Sequence, residues 1–232
     1  MAVDLEGGCR IVDLKEGRPS PDGDLLIWSH FSGALSLRVI DLDGGAALHN
    51  PGHDETLFVI EGEGSANGTP VGKSTGIDLP RGQILRLSGE LTLASSLCRA
   101  EPSQRPASIV RLEDQPLQST GDRSYRELIQ NVTTQFVGSI PPGRAPEHFH
   151  LYEEVICILQ GSGVMWTGAR TAPVREGSCI FLPVRQHHCL ENTTSNELRL
   201  LGMFFPAGSP AARYGVESGA EGGPEKQQPE GG

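Results

Sequence analysis

An all-β fold in two tandem barrel-like units is predicted by three observations. First, Gly 30 and Pro 17 in 232 residues punctuate the chain so densely that few segments of helical period have room to form. Second, the apolar runs are short and β-favouring: Val155-Ile156-Cys157-Ile158-Leu159 ends at the turn signal Gln160-Gly161. Third, a pattern in the first half returns in the second. Glu55-x6-Gly62-x-Gly64 becomes, 99 residues later, Glu154-x6-Gly161-x-Gly163. At an offset of 103, Pro70-Val71 becomes Pro173-Val174 and Leu79-Pro80 becomes Leu182-Pro183. The second half therefore carries four extra residues in one hairpin loop, a change that costs little at a surface.

Taken in order, residues 1–100 form the first unit, with strands expected at 25–31, 35–40, 56–60, 84–87 and 91–95. Residues 101–107 are polar and proline-bearing and read as the linker. The second unit spans residues 108–214 and opens on a strand at 108–112. From 215 to 232 the chain is acidic, rich in Gly and Pro and almost devoid of side chains to bury, so a disordered tail is predicted.

The chemistry concentrates in the second unit. His148, His150, Glu154 and His188 are three imidazoles and one carboxylate, a donor set compatible with several divalent transition metals. Alternation along an extended segment puts His148, His150, Tyr152 and Glu154 on one face, and residues 177–183 read as the turn and strand that return His188 to them. His187 faces the opposite way and is a bystander, and Glu153 points outward with no catalytic role expected.

The spacings Gly143-x4-His148-x-His150-x3-Glu154-x6-Gly161 and Gly177-x5-Pro183-x4-His188-x3-Asn192 resemble the two motifs of the cupin superfamily. Two positions depart from the family pattern. Gly143 stands one residue nearer the first His, and Arg185 occupies the place of a glycine, leaving that turn without a residue free to take positive φ. The resemblance implies jelly-roll β-barrels with a metal in the mouth of the second. It maps the ligands onto His148, His150, Glu154 and His188, for one divalent transition metal per chain (Fe, Mn, Zn, Ni or Co). Tyr152, Arg144, Trp166 and Phe204 are candidates for the pocket around it.

The first unit reads as a barrel whose site is degenerate. His49 falls under His148, but Pro51 falls under His150 and Leu85 under His188. An alternative three-ligand set of His49, His53 and Glu55 shares strand parity, with Leu85 opposite it.

A net charge of -10 without a Lys/Arg cluster excludes a nucleic-acid partner. No apolar stretch approaches membrane-spanning length and the N-terminus lacks signal-peptide character, so neither membrane association nor export is expected, and the cytoplasm is the expected compartment. Cys9, Cys98, Cys157, Cys179 and Cys189 are odd in number and scattered, which argues against a disulfide framework and for buried core thiols at Cys157 and Cys179. Exposed edge strands make a homodimer the expected state.

Three functions fit such a site. A metal-dependent oxygenase acting on a small chelating or anionic substrate comes first. A non-redox isomerase, lyase or decarboxylase on the same centre comes second, and a small-molecule binding or sensing protein without turnover third.

Overall fold

The computed structural model describes residues 2–101, 104–121 and 123–215, and these are built almost wholly of antiparallel strands. The predicted tail lies outside the described residues from position 216 onward. Among the described residues no helix is long and apolar enough to cross a membrane.

In the first half three strands run unusually long: Ser36–His49, His53–Ala66 and Ile84–Arg99. The strands expected separately at 84–87 and 91–95 are one, because Ser88-Gly89-Glu90 bends a continuous ladder instead of turning it. Gly44, Gly89 and Gly64 stand side by side on the three neighbours. Gly89 has a φ of 114°, and a Cβ there would lie 2.5 Å from the Glu63 carbonyl oxygen. Glycine is what lets the three backbones turn the barrel corner together.

The second half makes its barrel from two sheets. Arg123–Gln130, Thr134–Ile140, Leu198–Phe205, Glu153–Gln160 and Ser178–Leu182 lie in that order on one. Gly143–Arg144, Cys189–Asn192, Ser162–Thr167 and Arg170–Arg175 form the other. Each barrel has its own apolar filling. Ile40, Leu57, Ile77, Leu85 and Leu93 fill the first, and Phe136, Ile156, Ile180, Leu190 and Leu200 the second.

The division at residue 100 predicted from the sequence is not the division between sheets. Arg10–Asp13, at the start of the chain, pairs with Ser178–Leu182 in the second unit, and Ser108–Arg111, after the linker, pairs with Thr75–Leu79 in the first. Each unit thus closes its edge with a strand from the other half. A four-residue strand carries no information about which of two similar edges it caps, so alternation alone could not place it. A third apolar cluster fills the space between the sheets: Phe31, Leu35, Leu37 and Phe58 meet Val137, Val155, Cys157, Cys179, Leu201 and Met203. Polar contacts reinforce this joint. The Leu35 N–H donates to Glu153 Oε2 at 2.9 Å, the structural task of that outward glutamate. Arg105, in the linker, bridges Asp54 at 2.8 Å and Asp78 at 2.9 Å.

All five cysteines are buried and none is in a disulfide. Cys157 and Cys179 face each other across the sheet at 3.4 Å between sulfurs, and the neighbouring thiol together with burial pushes Cys179 upward.

Candidate metal centre

His148 and His150 precede the strand Glu153–Gln160, on a segment held in place by backbone pairing. The His148 N–H donates to the His188 carbonyl at 3.0 Å, and the His188 N–H returns the bond at 2.9 Å. Two of the expected ligands are therefore locked to one another before any metal arrives. The His150 carbonyl accepts the Arg185 N–H at 2.8 Å. Arg185 itself adopts a φ of 63°, so the turn that lacks the family glycine is made by an arginine in the left-handed region. Such a residue costs about 1–2 kcal/mol of local strain.

All three imidazoles are oriented from behind by backbone carbonyls. His148 Nδ1 bonds Pro146 O at 3.0 Å, His150 Nδ1 bonds Ala212 O at 2.8 Å, and His188 Nδ1 bonds Gln186 O at 2.8 Å. A carbonyl only accepts, so each Nδ1 carries the hydrogen and each Nε2 keeps its lone pair for the centre. The donor atoms of His148, His150 and His188 all lie within 4.8 Å of one another. Burial lowers the pKa of His148 to about 2, of His188 to about 3 and of His150 to about 4, with neighbouring imidazoles adding to the effect at His148 and His188. All three are therefore neutral at pH 7.

Glu154 stands beside this trio, its Oε2 3.6 Å from His150 Nε2. Burial pushes its carboxyl up to about 8 against the opposing pull of Arg123. The contact with His150 is consequently one between two uncharged groups and is no ion pair at neutral pH. Three lone pairs and a buried acid whose charge Arg123 offsets only in part fit a divalent metal, which would hold the carboxylate ionised.

These four residues line a cavity of about 80 Å³. Its wall is largely apolar, from Phe136, Ile140, Ile156, Leu190 and Leu200, and two guanidiniums, Arg123 and Arg213, also line it. Residues 136–204 match the Cupin domain family.

The second barrel carries a cupin domain.

The chain's fold resembles the glyoxylate-induced protein of Pseudomonas aeruginosa at a TM-score of 0.73 and 15% identity, covering 88% of this chain and 90% of that one. Protein Ylba of E. coli matches at 0.73 and 12%, covering 88% and 93%. The oxalate decarboxylase of Bacillus subtilis, described with Mn(II) centres, matches at 0.70 and 12%, covering 86% and 78%. No curated protein matches the chain in sequence at a significant level.

Within this domain, Tyr152 does reach the cavity. Its ring stacks on His150 at 4.6 Å between centroids and on Phe204 at 3.9 Å, so Phe204 supports the pocket from behind. Burial raises the Tyr152 hydroxyl far above its usual range, which leaves it a hydrogen-bond donor and no base. Arg144 and Trp166 do not line the cavity. Their segments lie on the four-stranded sheet, where the guanidinium sits 3.8 Å over the indole and donates to Cys189 Sγ at 3.2 Å, while Trp166 bonds Glu191 at 2.9 Å. Neither orientation was legible in the sequence, since proximity to a motif does not fix a face. His187 is exposed and packs on Phe149, so it is no core residue.

The first barrel does not assemble the alternative set. His49 is exposed, Leu85 is fully buried, and Glu55 is engaged elsewhere. Arg38 binds Glu55 Oε1 at 2.5 Å, and Ser95 and Asn50 also donate to that carboxylate. The registers explain the exchange. Glu55 opposes Leu97 as Glu154 opposes Phe204, which puts Ser95 at the place of Gly202 and Arg38 at the place of Phe136. An internal guanidinium thus meets the charge of the first barrel's carboxylate.

Sequence reasoning missed Arg123, Arg213 and Ala212. None lies in either motif. A single arginine beside a turn, or in the segment after the last strand, carries no periodic signal.

Proposed function

We propose that this cupin is a metal-dependent enzyme acting on a small carboxylate, with His148, His150, His188 and Glu154 as the ligands of one divalent transition metal. The observation that carries this reading is the pairing of that donor set with Arg123 and Arg213 around a single small, apolar-walled cavity. A bound metal would supply Lewis acidity toward an oxygen of the substrate.

The chain's own residues do the rest. Two guanidiniums favour an anion where the apolar wall excludes water, and low local polarity strengthens that attraction. A cavity of about 80 Å³ holds a ligand of only a few non-hydrogen atoms. That space suits one small acid better than an acid and dioxygen side by side, which favours a non-redox cleavage such as decarboxylation. The likeness to oxalate decarboxylase, a protein named for a two-carboxylate substrate, agrees with a small acid as the substrate. Oxidation by dioxygen is the second reading, favoured by the apolar wall, which suits an apolar gas.

The test is a panel of small hydroxy-, keto- and dicarboxylic acids offered to the metal-loaded protein under air and under argon. Turnover in both atmospheres supports the non-redox reading, and turnover only under air supports oxygenation. Loading with about one metal per chain but no turnover of any acid would leave a binding protein.

A further inference from the structure

After the last strand, Leu198–Phe205, the chain turns back across the mouth of the metal pocket. Gly208 is pinned at the start of this return: its carbonyl accepts from Thr134 Oγ1 at 3.0 Å and from Gln130 Nε2 at 3.1 Å. Tyr214 closes the far end through a two-bond bridge to Phe149, at 3.0 and 3.1 Å, with the rings stacked. Phe149 lies between His148 and His150. Residues 209–214 are therefore a strap fastened at both ends, one of them to the backbone between two ligand histidines.

Inside the strap two adjacent residues face different tasks. The Ala212 carbonyl holds His150 Nδ1 at 2.8 Å. Arg213 lines the cavity and is tied to Thr120 Oγ1 at 3.0 Å. We propose that this strap couples the substrate to the metal centre: Arg213 is a specificity residue that binds the carboxylate of the substrate, and Ala212 is a positioning residue for His150. The coupling rests on the anionic-substrate reading given above. An anion drawn to Arg213 pulls the strap onto the barrel, which keeps the Ala212 carbonyl against His150. Each ligand then tightens the other by the same factor.

Four forms of the protein separate these roles: the wild type, Arg213→Ala, a chain ended after Gly208 and a chain ended after Gly215. Cobalt(II) and oxalate serve as probes, and amide hydrogen exchange at Phe149 and Tyr214 reports strap opening. Ending the chain after Gly215 should leave cobalt affinity unchanged, whereas ending it after Gly208 should weaken cobalt by about 10- to 100-fold, the usual loss when a partner behind a ligand is removed. Arg213→Ala should weaken oxalate by about 10- to 100-fold, as expected for a lost charge-assisted hydrogen bond, with cobalt affinity in the absence of oxalate nearly intact. In the wild type, oxalate should slow exchange at both amides even without cobalt, and in Arg213→Ala it should not.

The outcomes are distinct. Unchanged cobalt affinity in the chain ended after Gly208 overturns the positioning role of Ala212. Equal oxalate affinity in wild type and Arg213→Ala overturns the specificity role while leaving the anionic-substrate reading intact. No oxalate binding to the wild type overturns both that reading and the role of Arg213. Loss of fold in the shortened chain, seen by circular dichroism, hands the decision to the amide exchange of Arg213→Ala.

Discussion

Glu55 and Glu154 occupy the same place in two related barrels, and their charge is managed in opposite ways. Glu55 is fully buried against Arg38, whose guanidinium is 22% exposed. Arg38→Ala strands that carboxylate, and the expected loss is about 3 kcal/mol of stability, measured by denaturant unfolding. At Glu154 burial outweighs the pull of Arg123 and raises the carboxyl to about 8, while the imidazoles fall to about 2 to about 4. Its folded-state value lies above the ordinary carboxyl value of 4.5, so its contribution to the metal-free fold is present below that pH and is lost as pH rises through about 8. Metal loading at pH 7 should then expel close to one proton per chain, from Glu154, and fewer as pH climbs past 8. Calorimetric titration with cobalt(II) in two buffers of unlike ionisation enthalpy measures this number. Glu154→Gln should release none, and release of three protons by the wild type would show that the imidazoles, not the carboxyl, hold them. His148→Ala or His188→Ala should lose most of the bound metal, whereas His187→Ala should retain it; full occupancy in all three would sink the ligand assignment. Donor type and spacing made these histidines legible in the sequence. The arginines of the cavity were not, because long-range pairing decides which lone cation reaches a pocket.

At the scale of elements, the corner glycines and the exchanged strands carry the architecture. Gly89→Ala would press a methyl group against the Glu63 carbonyl in a left-handed backbone, and overpacking of this kind costs about 1–3 kcal/mol. The measurable result is a lower melting temperature without loss of metal per folded chain. Strand positions were largely readable from apolar runs and turn residues. Where they failed, at residues 84–95, a Gly-containing triplet had to be told apart as bend or turn, and that difference lies in the neighbouring strands Ser36–His49 and His53–Ala66. The left-handed Arg185 is of the same kind, a conformation imposed by the His150 carbonyl that its N–H must reach.

For the whole molecule, the apolar joint between the barrels and the two exchanged strands predict one cooperative unfolding transition. Ile11, near the start of the chain, is buried in the core of the second barrel. Ile11→Ala should cost about 2–4 kcal/mol and lower metal retention on heating, although the residue lies in the first hundred. Calorimetry showing two separate transitions, with only the earlier moved by Ile11→Ala, would refute this interdependence. The repeat made the two-barrel plan visible in sequence, and the family likeness placed the metal in the second; the exchange was invisible because both edges present the same alternating backbone.

The crossing of Arg10–Asp13 and Ser108–Arg111 between sheets also sets an order of events at the ribosome. The first barrel lacks its edge until residue 111 has left the exit tunnel, and residues 10–13 must wait for a docking partner that is made some 170 positions later. The strap that orients His150 comes later still, since it ends at Tyr214. A nascent chain that has not reached Tyr214 therefore lacks part of what holds the His148, His150 and His188 cluster in place.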